Sequence, residues 1–183
     1  MALPLKKLVF IDVETTGFNP TKHEIVELGA VVAEPQGSYR DLRVIHELDI
    51  KVKPERIEDA DPGALRVNGY NEKEWMFAHS LEEAMKELSQ KAKGCAMVAH
   101  NISFDYGFIN RAYEVTGVEN SMHYQKFDTL SIAFAKLNRD PDLKNLSLKA
   151  LCELYGVVNE RAHTALADTR ATMEVFVAMM KEK

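Results

Sequence analysis

Apolar residues change their spacing along the chain. Up to about residue 53 they form short runs rich in β-branched side chains: Lys7 to Val13, broken by a single acid, then Ile25 to Ala33. Arg43 to Lys53 carries Val44, His46, Leu48, Ile50 and Val52 at every second position. Runs and alternation of this kind predict strands. The turn clusters Gly17-Phe18-Asn19-Pro20 and Pro35-Gln36-Gly37-Ser38 between them are short enough to join antiparallel neighbours. The first third therefore predicts a three-strand meander.

Beyond it the period becomes helical. Ser80 and Glu83 have the spacing of a capping box, Leu81, Ala84, Met85 and Leu88 form an apolar stripe, and Gly94 marks the stop. A short buried strand over Cys95 to Ala99 precedes a helix from about Ser103 to Val115, whose inner face carries Phe108, Ile109 and Ala112. Asp128 is placed to cap a helix bearing Leu130, Ala133, Phe134 and Leu137. Asn145 is placed to cap another with Leu148, Leu151, Cys152 and Tyr155 that ends at Gly156. A last helix from about Thr164 buries Met173, Phe176 and Met180. Strands followed by helices, with one strand between helices, predict an α/β domain with a mixed sheet.

Composition narrows the function. At 183 residues, 46% hydrophobic and with only 9 Gly and 6 Pro, the chain suits one folded domain and not a disordered or collagen-like one. Cys95 and Cys152 lie far apart without CxxC spacing, which suits a reducing, cytoplasmic setting over a disulfide scaffold or zinc knuckle. No apolar run is long enough for a secretory segment or membrane span. The formal net charge is −5, so attraction to a polyanion is not written into the overall balance. A nucleic-acid role needs a local cause, which divalent cations at an acidic site would supply.

Three placements of acid are anomalous. Strand alternation puts Leu8, Phe10, Asp12 and Glu14 on one side and Val9, Ile11 and Val13 on the other, so two carboxylates project together from the strand's end. Either both reach the solvated tip and cap the turn, or they hold a cation, because paired buried carboxylates repel. Asp105 heads the apolar stripe of its helix, where it serves the helix dipole or a ligand. His163 and Asp168 cannot line one helical face, but they converge if His163 lies in a loop and Thr164 caps the helix.

Together Val9-Phe10-Ile11-Asp12-Val13-Glu14-Thr15-Thr16-Gly17, Ala99-His100-Asn101-Ile102-Ser103-Phe104-Asp105 and His163-Thr164-Ala165-Leu166-Ala167-Asp168 resemble the three exonuclease motifs of the DnaQ-like, DEDDh family. That family includes the proofreading subunit of bacterial replicative DNA polymerase and several exoribonucleases. The resemblance runs from about Lys7 to Met180. It implies an RNase H-like α/β fold over residues 1–183 as a single exonuclease domain, with a central mixed five-stranded sheet, antiparallel meander plus parallel strands, flanked by helices.

By the same resemblance, the activity is metal-dependent 3′–5′ hydrolysis of single-stranded DNA or RNA ends with release of nucleoside 5′-monophosphates. Asp12, Glu14 and Asp168 would hold one Mg²⁺ or Mn²⁺, Asp12 and, through water, Asp105 a second, and His163 would act as general base. Thr15 and Thr16 would meet the 3′-hydroxyl, and His100 and Asn101 would frame the site. Turn chemistry accounts equally well for Thr15, Thr16 and Asn101. His23, His46, His79 and His123 match no motif position, whereas Lys136, Arg139, Lys144 and Lys149 either track a phosphate backbone or form a solvated face. A polymerase subunit is a conceivable partner, although polymerase-bound relatives usually carry a C-terminal tether and this sequence ends at Lys183. Two other readings compete. Asp12-x-Glu14-x-Thr16 also resembles the nucleophile loop of haloacid-dehalogenase-like phosphatases, which need a Rossmann-like sheet, and a degenerate nuclease would bind ends without cutting them.

Overall fold

The computed structural model describes residues 6–138, 144–159 and 164–181. Its five strands are β1 (Leu8–Thr15), β2 (Ile25–Pro35), β3 (Leu42–Lys51), β4 (Ala96–Ala99) and β5 (Lys126–Asp128). Its α-helices are α1 (Pro62–Asn68), α2 (Leu81–Lys91), α3 (Ile102–Thr116), α4 (Thr129–Leu137), α5 (Leu148–Tyr155) and α6 (Ala165–Lys181). The strands form one sheet in the order β3-β2-β1-β4-β5. The β1–β2 and β2–β3 pairs are antiparallel, and β4 runs parallel to both β1 and β5. This is the expected mixed sheet. The antiparallel turn after β1 is incompatible with the Rossmann-like order that the phosphatase reading requires.

Central β1 is covered on both faces, which is why its sequence is apolar on both. Val9, Ile11 and Val13 pack with α2 and α3 through Met85, Leu88, Phe108 and Ile109. Leu8 and Phe10 pack on the opposite face against α6, where the Phe10 and Phe176 rings meet edge-on with centroids 5.5 Å apart. Each such fully buried side chain contributes roughly 1.5–3 kcal/mol relative to an exposed one. A third apolar cluster, including Leu151, Val175 and Met179, joins α4 and α5 to the outer side of α6. No described helix is long and apolar enough to cross a membrane.

Three local expectations change. In β3 the register shifts at Val32/Ala33, so His46 pairs with Val32 and Val44 with Ala33, leaving Ile45 as the extra residue. This bulge inverts the facing: Ile45 packs on the core, Val44 is 40% exposed, and inward alternation resumes only at Leu48 and Ile50. Helix α1 follows the third strand unforeseen, although Asp61 caps it through the Gly63 N–H, Pro62 opens it and Gly69 (φ 68°) closes it. The α5 cap is Ser147, which accepts from the Ala150 N–H; Asn145 sits two residues earlier and accepts from the Ser147 N–H instead.

The sheet order places the functional end. From the carboxyl end of β1 the chain turns to β2 on one side; from that of β4 it passes through α3 to β5 on the other. The crevice between these diverging connections is where open α/β sheets bind ligands. Helix α6 reaches it by lying directly on β2 at Gly29, where a Cβ would stand 2.2 Å from the Ala165 carbonyl carbon. Gly29→Ala is therefore expected to displace α6 and cost about 1–3 kcal/mol, as overpacking usually does. Urea unfolding measures this, and an unchanged midpoint contradicts the close approach.

Candidate active site

Strand alternation carries Asp12 and Glu14 onto the α6 face of β1, and Asp168 meets them from the first turn of α6. One carboxylate oxygen from each of the three lies within 4.8 Å of the others. The Asp168 N–H donates to the Thr164 carbonyl at 3.0 Å, which gives Thr164 the N-cap place at the head of α6. His163 lies outside the described residues.

Asp105 arrives from the opposite face, on the first turn of α3, and is only 3% exposed. Its Oδ1 accepts from the Val13 N–H at 3.1 Å, because short β4 pairs with β1 only as far as Phe10 and leaves that donor without a strand partner. Asn101 makes the turn from β4 into α3 with φ 63°, the only positive φ outside glycine among the described residues. Asn and Asp tolerate that conformation better than other side chains. Its N–H donates to Asp128, which also accepts from the Ile102 and Leu130 N–H groups and so caps α3 and α4 together.

The remaining expected residues are held by the protein itself. The Thr15 hydroxyl donates to the Gly17 carbonyl, and the Thr15 carbonyl accepts from the Asn68 side chain. The Thr16 hydroxyl accepts from the Glu24 N–H, and its carbonyl accepts from the Asp61 N–H. A bulge between Glu14 and Thr15 leaves Val26 as the extra residue on β2, and its carbonyl accepts from the Val52 N–H at 2.8 Å and the Trp75 indole N–H at 2.7 Å. His23 fills the space above Gly17 and accepts from the Asn19 N–H. His100 faces Thr129, with Nδ1 3.0 Å from the hydroxyl, and bonds the Leu146 backbone; burial lowers its pKa. Lys136, Lys144 and Lys149 are exposed, and Arg139 falls outside the described residues.

Beside Glu14 and Thr15 opens a cleft of about 480 Å³ whose far wall is α1, with Arg66, Val67 and Asn68. Phe18, 78% exposed, stands at its edge against Phe104, ring centroids 6.4 Å apart. Neither this aromatic pair nor Asn68 stood out in the sequence. Glu27 was also missed, although its signal is the same as that of Asp12: an acid inside an apolar strand, here 5% exposed and directly opposite Glu14.

Crowding of acids dominates the electrostatics. Burial, then the negative charges of Asp105, Asp168 and Glu14, hold the Asp12 carboxyl well above the usual range. Glu14 is pushed up to about 8, by burial first and then by Asp168, Glu27 and Asp105. Burial lifts Asp105 to about 7 against the pull of the Val13 N–H. The donor set, all hard oxygen, fits a divalent cation of the Mg²⁺ or Mn²⁺ kind, which would neutralise this charge.

The sign of the pH dependence follows. With a folded pKa of about 8 against an ordinary 4.5, folded Glu14 holds its proton through that window, and folding is progressively disfavoured as pH rises across it. Glu14→Gln mimics the protonated acid. In chelator it is expected to leave Tm unchanged near pH 5 and to raise it by several degrees near pH 9. Equal Tm changes at both pH values contradict the raised pKa.

Comparison with known proteins gives concordant matches. The RNase_T family, described as Exonuclease, matches residues 9–176. Ribonuclease T of Shewanella frigidimarina is 32% identical over 184 residues, covering 92% of this chain and 79% of that protein. The PolC-type DNA polymerase III of Caldanaerobacter subterraneus subsp. tengcongensis is 30% identical over 178 residues, covering 96% of this chain. This chain spans only 12% of that polymerase's length. Among solved structures, E. coli exonuclease I in complex with a dT13 oligonucleotide superposes with a TM-score of 0.75 at 19% identity, over 92% of this chain and 39% of that one. The motifs, the sheet order and the family match agree: the chain belongs to the DnaQ-like exonuclease family.

Proposed function

We propose that this protein is a 3′–5′ exonuclease that removes nucleoside 5′-monophosphates from single-stranded DNA or RNA ends. The observation that carries the reading is the meeting of the Asp12, Glu14 and Asp168 oxygens within 4.8 Å, beside a nucleotide-sized cleft edged by Phe18 and Phe104. Asp12, Glu14 and Asp168 would hold one divalent cation, and Asp12 with Asp105 a second. Such ions, when bound, neutralise the phosphate and stabilise the attacking and leaving oxygens of an in-line displacement.

The chain's own groups do the rest. Phe18 and Phe104 offer ring faces and edges on which a terminal base can stack, a contact worth roughly 1–3 kcal/mol and indifferent to sequence. The Thr15-Thr16 turn, braced by Asn68, Glu24 and Asp61, provides a rigid wall for the terminal sugar. His163, just before the N-cap of α6, would take the proton of the attacking water as the phosphodiester bond breaks and the 3′-oxygen leaves. His100, half-buried and bonded to Thr129 and Leu146, supports the β4 end of the site rather than the chemistry. The PolC-type relatives carry their matching segment within a DNA polymerase chain, and exonuclease I has been crystallised with single-stranded DNA; both support action on strand ends during DNA metabolism.

The test is incubation of 5′-labelled single-stranded DNA and RNA with the protein in Mg²⁺ or in chelator. A ladder shortening from the 3′ end only with metal is expected. Binding without cleavage would instead favour the degenerate end-binding module. Asp12→Ala is expected to reduce hydrolysis to background with the circular dichroism spectrum unchanged, and full turnover in it contradicts the cation assignment. His163→Ala is expected to lower the rate by about 10²–10⁴ with metal binding retained, the usual size of a general-base contribution. An unchanged pH–rate profile contradicts that role.

A further inference from the structure

Asp168 reaches the carboxylate group from a helix far along the chain, and two side chains outside the ligand set touch that helix head or Asp168 itself. The first is Glu27. It pairs across the sheet with Glu14, so its carboxylate leaves the same face of the sheet beside two other acids. Like charges directly opposite one another are destabilising, so a buried Glu there needs a compensating donor. The donor is the Ala165 N–H, which Oε1 accepts at 3.0 Å. That N–H belongs to the first residue of α6, a 17-residue helix, and the first N–H groups of a helix have no partner within it and carry a partial positive charge. Two residues along the same strand, Gly29 admits the Ala165 backbone too closely for any side chain. Glu27 and Gly29 together are a seat for the head of α6, and Asp168 lies one turn beyond it.

The second is Asn159, in the segment between α5 and α6. Its Nδ2 donates to Asp168 Oδ1 at 2.5 Å. The other amide atom, Oδ1, is buried and has no hydrogen-bond partner among the described residues. Asn159 is thus held against Asp168 through its amide nitrogen, beside an amide oxygen that the described residues leave unpaired.

We propose that Glu27 and Asn159 are positioning residues that set Asp168 for cation binding, Glu27 by fixing where α6 begins and Asn159 by engaging Oδ1 of the carboxylate. Neither belongs to the group of three close carboxylates, and Glu27 spends its Oε1 on the helix. Groups that orient metal ligands in this way typically change metal affinity or activity by 10–100-fold when removed. The inference rests on the cation-dependent nuclease reading.

Isothermal titration of Mn²⁺ into the full chain, beside steady-state hydrolysis of an oligonucleotide, tests it. Glu27→Ala is expected to weaken Mn²⁺ binding by about 10–100-fold and lower kcat to match, with KM for the oligonucleotide within about twofold. Glu27→Gln keeps an oxygen for the Ala165 N–H and is expected to stay within about threefold of wild type in both. Asn159→Ala is expected to weaken Mn²⁺ binding about tenfold. It also keeps the test alive if circular dichroism finds Glu27→Ala unfolded. Wild-type Mn²⁺ affinity in Asn159→Ala or in folded Glu27→Ala overturns the proposal. So does a Glu27→Gln as impaired as Glu27→Ala, which would make charge, not the helix contact, the contribution. Wild-type protein that neither binds Mn²⁺ nor cuts the oligonucleotide overturns the nuclease reading itself.

Discussion

Mutual repulsion among carboxylates at the carboxyl end of β1 is the constraint around which this molecule is organised. Asp12 and Glu14 share one face of the strand, Asp168 comes to within 4.8 Å of both, and Asp105 is buried on the other side. Burial is the first cause of the raised pKa of Asp12, Glu14 and Asp105, and no Lys or Arg stands among the causes that act on them. Such an arrangement costs desolvation and repulsion, and a hard divalent cation held by these oxygens would offset both.

The scaffold meets the constraint by symmetry of means. Asp105 and Asp168 both stand in first turns of helices, α3 and α6, which approach β1 from opposite faces. The positive end of each helix dipole is thus turned toward the acids, which eases their charge before any ion binds. Each helix head is itself secured by a carboxylate that stands outside the group: Asp128 at α3 and Glu27 at α6. Rigid strands supply two of the acids and capped helices the others, so the geometry does not depend on flexible loops.

Much of this was readable from the residues. Alternation in β1 foretold which side Asp12 and Glu14 take, and the placement of Asp105 on an apolar helix face foretold its burial. What escaped had physical reasons. The β3 bulge at Ile45 shifts register by pairing, which no period in one strand reveals. Helix α1 is only about two turns long and amphipathic enough only to edge a cleft, so its caps at Asp61 and Gly69 were a stronger signal than its apolar content. The fifth strand was expected without a location, and its three residues, Lys126–Asp128, are too few to show alternation. Glu27 lies 138 positions from Ala165, a contact that only the folded chain brings about.

The most direct test of the account is an anomalous difference map at the manganese edge from crystals grown with Mn²⁺. The account predicts a peak bounded by the carboxylates of Asp12, Glu14 and Asp168. A map without a peak there, or with Asp168 turned away from Asp12 and Glu14, would contradict it.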